Sequence, residues 1–214
     1  MMIGDALHLV RDTVEEMRRD PVAMVGGLVP LVALSMWGDL GGADVMPLSF
    51  LAISITSFIL QYVLTRRAMR AGGLLTADMP GNVGGFFGLC FLSNLGILLG
   101  FTLFIVPGIW IYARWIASGP ILFAEQATVG EALANSAERT RSLLGAIVGA
   151  TAILYMPFVA GLAASMMSDE ATILSPAVSL AINIGLIGSQ IAGWYLAVAI
   201  YRALQPQPLA EVFA

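Results

Sequence analysis

What most constrains this chain is where its positive charge falls relative to its apolar runs. The 214 residues contain ten basic side chains, all of them arginine. A membrane-spanning helix needs about 20 largely apolar residues. Six stretches qualify: 21–38, 46–65, 84–106, 107–124, 142–166 and 177–201. Arg11, Arg18 and Arg19 precede the first, Arg66, Arg67 and Arg70 follow the second, Arg139 and Arg141 follow the fourth, and Arg202 closes the sixth. The loops on the opposite side carry Asp39 and Asp44, then Asp169 and Glu170, with no arginine. Short cytoplasmic loops gather arginine and lysine. The pattern therefore predicts an all-α integral membrane protein with six transmembrane helices and both termini in the cytoplasm. Only Arg114 falls inside an apolar stretch.

Composition removes other classes. The chain is 58% hydrophobic and 11% charged, against about 45–50% and about 25% in soluble proteins. A net charge of −4 argues against nucleic acid, whose phosphates need a basic surface. One cysteine, Cys90, and one histidine, His8, cannot build a disulfide framework or an ordinary zinc site. No cofactor, metal or catalytic residue is expected. The charged start does not read as a signal peptide.

The whole chain, 1–214, is expected to form one membrane domain. An interfacial helix (1–20) leads into the first two spans (21–66). Asp20 can cap the first span, and Pro21 suits its first turn. Spans three and four (84–124) form a hairpin whose turn is Pro107-Gly108, with a second interruption at Gly119-Pro120. A full hairpin is favoured; a shallow re-entrant one is the alternative. A second interfacial helix (128–141) opens with Thr128 and Glu131 at capping-box spacing. The last two spans (142–201) follow, then a cytoplasmic tail (202–214). Within 1–20 the apolar residues Ile3, Leu7, Val10, Val14 and Met17 recur at helical spacing, opposite Asp5, Asp12, Glu15, Arg18 and Arg19. Gly4-Asp5-Ala6-Leu7 returns as Gly130-Glu131-Ala132-Leu133, and Leu51-Ala52-Ile53 as Leu180-Ala181-Ile182. These matches suggest a weak parallel repeat of an interfacial helix plus two spans.

Arg114 is the sharpest candidate for a site. Counted from Pro107, it lies roughly 10 Å into the apolar layer at 1.5 Å per residue. A charge there is costly, so it should have partners. Depth matching offers Asn94 and Asn183, with Gln61 and Gln190 deeper. These residues make a candidate site for a lipid headgroup or other anion; a structural clamp is the competing reading. Glycines at small-residue spacing, among them Gly96/Gly100 and Gly185/Ser189/Gly193, fit close helix packing.

From Phe104 to Gly145 the chain resembles a family. Pro107, Gly108, Arg114, Pro120, Glu125, Ala132, Leu133 and Ser136 follow the pattern of YciC-like bacterial inner-membrane proteins. They also resemble the membrane domain attached to some glycerophosphoryl diester phosphodiesterases. Arg139 stands where the family has leucine, and Ser142 where it has glycine. The resemblance implies a multi-pass protein of the bacterial inner membrane; the phosphodiesterase activity is not carried over. The expected role is non-enzymatic, in membrane, envelope or lipid homeostasis, with lipid-headgroup binding at Arg114. Its partners would be membrane lipids and other membrane proteins, not nucleic acid, with the oligomeric state open. A small transporter of a lipid-like or anionic solute is the alternative. An intramembrane enzyme is the second alternative, and it would need a titratable group within reach of Glu125 or Arg114.

Overall fold

The computed structural model describes residues 2–42, 44–76, 78–167 and 175–205, and these are helical almost throughout. Asp169 and Glu170 and the tail from 206 onward lie outside the described residues. The helices are α1 (Met2–Arg19), α2 (Pro21–Leu40), α3 (Met46–Ala71), α4 (Val83–Leu103), α5 (Ile105–Trp115), α6 (Ser118–Ala124), α7 (Val129–Arg139), α8 (Leu144–Leu154), α9 (Met156–Met167) and α10 (Pro176–Ala203). A 3-10 turn, Thr140–Leu143, joins α7 to α8.

Five helical stretches are long and apolar enough to cross a membrane: α2, α3, α4, α5 with α6, and α10. A sixth exists only if Val129–Leu154 and Met156–Ala164, bent by 43°, count together as one. The expected fifth span is therefore broken rather than straight. The cause is Pro157, which has no N–H to continue the ladder of α8. Ser189 Oγ on α10 accepts the hydrogen bond of the next free amide, Phe158 N–H, at 3.2 Å. The two halves of the suggested repeat thus differ, since α2 is one continuous helix and its counterpart is broken.

Proline also relocates the hairpin. The expected turn at Pro107-Gly108 lies three residues too late, because Phe104 alone separates α4 from α5. Pro107 sits inside the first turn of α5, and Pro120 inside the first turn of α6. There the missing N–H would have had no helical partner anyway. The hairpin closes through glycine: a Cβ added at Gly100 would come within 2.9 Å of Gly108 Cα. The tip is wholly apolar and exposed, with Leu103, Phe104, Ile105 and Val106 at its crown.

The centre of the bundle is α10, with 67% of its most apolar window buried, against 17% for α3 and for α4. Its arginine-bearing end is a meeting point. Arg202 Nε donates to Glu16 Oε1 at 2.6 Å, and its Nη2 donates to the Gly72 carbonyl at 2.9 Å. Arg67 pairs with Asp20 at 2.8 Å, tying α3 to the start of α2. Asp20 also caps α2 by accepting from Ala23 N–H at 3.0 Å.

Of the apolar stripe expected on α1, Val10 and Met17 are partly buried against the core. Ala6, Leu9, Thr13 and Glu16 face the bundle, whereas Leu7 and Val14 are exposed. Helix α1 lies across α8 and α10, with Ala6 so close to Gly149 that a methyl there would sit 2.9 Å from Ala6 Cβ. In α7 the capping box forms: Glu131 Oε2 accepts from Thr128 N–H at 2.9 Å, and Thr128 Oγ1 accepts from Glu131 N–H at 3.4 Å.

Candidate functional site

Polar residues buried among apolar helices need a reason, because the hydrocarbon layer offers them no water. Helix α3 carries Ser54, Ser57, Gln61 and Thr65 at successive spacings of three or four, so they share one face. Helix α4 brings Ser93 and Asn94, and α10 brings Gln190. These faces converge on a cavity of about 450 Å³. Tyr112 and Trp115 of α5 form one wall, and Tyr155, at the break between α8 and α9, forms another. Among the described residues, no lining side chain is charged.

The packing explains why the space persists. Helices α4 and α5 are held together along their length, while α3 and α4 meet mainly through side chains, with the rings of Phe58 and Tyr62 against Phe86 and Phe87. The Trp115 ring is wedged against the bare backbone of Gly96, where any added Cβ would strike it. Phe86, Phe123 and Tyr62 close the arginine-bearing end, with Phe86 and Phe123 stacked at 5.1 Å and Tyr62 edge-on to both. At the other end Ser54 and Asn94 are exposed and form the mouth, surrounded by the exposed apolar side chains Leu51, Ile55 and Leu98.

The lining is only partly satisfied internally. Ser54 Oγ donates back to the Phe50 carbonyl at 2.8 Å, and Asn94 Nδ2 to the Cys90 carbonyl at 2.8 Å. Gln61 Oε1 has a weak donor in Cys90 Sγ at 3.9 Å. Ser93 Oγ is buried with no hydrogen-bond partner. A buried hydroxyl in that state carries a desolvation cost that a ligand group could relieve.

Of the three residues expected to make an anion site, only Asn94 lines this cavity. Arg114 hydrogen-bonds with neither Asn94 nor Asn183. Its guanidinium lies over the Trp110 ring, 5.3 Å from the centroid, and its Nε is buried without a partner among the described residues. Asn183 is taken up elsewhere, because α10 packs on α2 at its level. Its Nδ2 donates to Asp39 Oδ2 at 2.7 Å, and its Oδ1 accepts from Ser35 Oγ at 2.6 Å. Ser179 Oγ completes this latch by donating to Asp39 Oδ2 at 2.6 Å. Asp39, expected in a loop, lies in the last turn of α2.

Several of the residues carrying the resemblance lie where α5, α6 and α7 pack together. The carbonyl of Arg114, near the end of α5, accepts from Ser136 Oγ at 2.8 Å and Thr140 Oγ1 at 3.2 Å. Those hydroxyls answer a carbonyl the helix end leaves free. Ala132 and Leu133 are buried, as is Pro120. Glu125 takes a two-pronged ion pair from Arg139, at 2.6 and 2.9 Å, and Tyr201 OH adds a third donor at 3.4 Å. Arg114 and Ser136 are therefore joined through the main chain, not through the guanidinium.

Reading the sequence for charge alone passed over Ser54, Ser57, Ser93, Tyr112 and Tyr155. The signal for the first two was the spacing of polar residues along α3, continuing into Gln61. The chain matches no protein-family model, no curated protein and no solved structure, and what the cavity can bind follows from its own chemistry.

Proposed function

We propose that this chain is a multi-pass membrane protein that holds the uncharged polar end of an amphiphile in the cavity between α3, α4, α5 and α10. The observation that carries the reading is the cavity itself, which gathers amides and hydroxyls within a largely apolar wall and opens at Ser54 and Asn94 amid exposed apolar side chains. A molecule with a polar head and an apolar tail can occupy both environments at once, the head among amides and hydroxyls and the tail along α3 and α4. The role is one of binding, in lipid or envelope homeostasis, without catalysis. The arginine-bearing ends of α1, α3 and α10 meet at one end of the bundle, which supports both termini lying in the cytoplasm. The resemblance of 104–145 to YciC-like proteins fits a bacterial inner membrane.

Lipid extraction from the purified protein tests this. A co-purifying amphiphile that falls severalfold in Gln61→Leu, but not in the lipid-facing control Val25→Ala, is expected. Equal bound lipid in all three proteins would refute the reading.

A second reading, movement of the same molecule across the bilayer, is favoured by the broken span. Tyr155 sits at that break and lines the cavity, and broken helices at binding sites are a recurrent feature of transporters. Locking the break by Pro157→Ala should then slow movement between leaflets while leaving binding intact. A variant that moves the amphiphile at the wild-type rate would exclude this second reading.

A further inference from the structure

We infer that the head bound in this cavity is a neutral polyol, a sugar ring carried on a lipid. The inference rests on the amphiphile reading above and narrows it to a chemical class. Charge is the first discriminator. With no charged side chain on the lining among the described residues, a phosphate, carboxylate or quaternary ammonium would leave water without a counter-charge, an expensive transfer.

Hydrogen-bond parity is the second. Gln61, Asn94 and Gln190 each bring a carbonyl acceptor and an amino donor, and Ser57 and Ser93 each bring a hydroxyl that does both. A head that only accepts, such as a ketone, quinone or ester, would leave the amide oxygens facing each other without donors. A hydroxyl both gives and receives, so several hydroxyls on one small ring answer this lining. The unpartnered Ser93 Oγ and the weakly served Gln61 Oε1 are the places where such donors are missing.

Shape is the third. Trp115 and Trp194 both line the space, and Trp115 is held in place by Gly96. Indole surfaces take the C–H faces of a sugar ring, apolar patches lying between its hydroxyls. A volume of about 450 Å³ falls within the usual range for small-molecule sites, roughly 300–1,000 Å³. The mouth at Ser54 and Asn94, among exposed Leu51, Ile55 and Leu98, favours a head delivered from the side by a lipid over a free sugar.

Native mass spectrometry of the full chain, released from zwitterionic micelles that contain no sugar detergent, tests this with four probes. They are monoglucosyldiacylglycerol, diacylglycerol, phosphatidylglycerol and free glucose. The glycolipid should bind at least roughly tenfold tighter than the other three, the effect of about one or two well-made hydrogen bonds. Gln190→Leu and Asn94→Leu should each cut that affinity roughly tenfold. Asn94 is exposed, so its variant keeps the bundle packed even if the Gln190 variant does not. Equal binding of glycolipid and diacylglycerol, both weakened by the variants, would overturn the polyol inference and leave the amphiphile reading standing. Tighter binding of phosphatidylglycerol would do the same. Glucose binding as tightly as the glycolipid would keep hydroxyl recognition and remove the lipid as its source, and the amphiphile reading with it. Binding of all probes unmoved by either variant would remove both.

Discussion

Glu16 offers the most quantitative test of how α1 belongs to the bundle. Its side chain is 2% exposed and sits between Arg202, at 2.6 Å, and Arg19, at 3.2 Å. Breaking a fully buried ion pair by removing one partner costs about 3–5 kcal/mol, largely because the remaining charge is stranded. Here the arginines stay about one-third exposed, at 33% and 32%, so water can recover part of that loss. Arg202 also keeps its bond to the Gly72 carbonyl. We therefore expect Glu16→Ala to destabilise the fold by about 2–3 kcal/mol. Arg202→Ala should cost a similar amount, since it leaves Glu16 buried and served only by Arg19. Because the two side chains share one interaction, the double variant should lose clearly less than the sum, with a coupling of about 1–2 kcal/mol. Equilibrium unfolding in mixed micelles, followed by tryptophan fluorescence, measures all four corners of the cycle. Additive losses below about 0.5 kcal/mol each would mean that α1 is not anchored to α10 through this pair.

Other perturbations probe separate joints. Asp39→Ala strips the latch between α2 and α10 of its charged acceptor and leaves Asn183 Nδ2 with Ser179 alone; a loss of about 1–3 kcal/mol is expected, seen as a lower unfolding midpoint. Ser189→Ala removes the acceptor for Phe158 N–H at the break and should cost about 1 kcal/mol, while Ser54→Ala, at an exposed hydroxyl bonded to its own helix, should be near neutral in the same assay. Gly96→Leu drives a side chain into the Trp115 ring; overpacking of about 1–3 kcal/mol should appear together with loss of the bound amphiphile, whereas Gly84→Ala, which meets open space, should change neither.

Helix starts were the most legible part of the fold, for a reason visible at Asp20-Pro21 and at Thr128. Each places a short polar cap just ahead of its helix, and each cap bond forms. Helix ends and breaks were less legible. Proline was read as a stop, yet Pro107 and Pro120 act as starts, and the true breaks fall before them at Phe104 and at Ile116–Ala117. On α1 the periodic stripe marks Val10 and Met17, which pack against the core, as well as Leu7 and Val14, which remain exposed. The face against protein also mixes Ala6 and Leu9 with Thr13 and Glu16, and no hydropathy pattern marks that mixture.

The cavity was hidden for a related reason. Serine and threonine barely interrupt an apolar run, and in a helix their hydroxyls can return to the carbonyl four residues back, as Ser54 does to Phe50. Charge is the loudest signal in a membrane segment, and Arg114 carries it. Its surroundings show main-chain capping by Ser136 and Thr140 and stacking on Trp110. Pairing by depth also failed for Asn183, since depth says nothing about which helix is the neighbour. Its partners Ser35 and Asp39 lie on α2.

The claim on which the functional account stands is that lipid enters between α3 and α4 and is held there by uncharged polar groups. A structure of the protein in native-lipid nanodiscs, prepared without sugar detergents, tests it most directly. The account predicts elongated density passing between Ser54 and Asn94, its head within hydrogen-bonding distance of Gln61 and Gln190. A closed seam between α3 and α4 along those residues, with no lipid density inside, would contradict it.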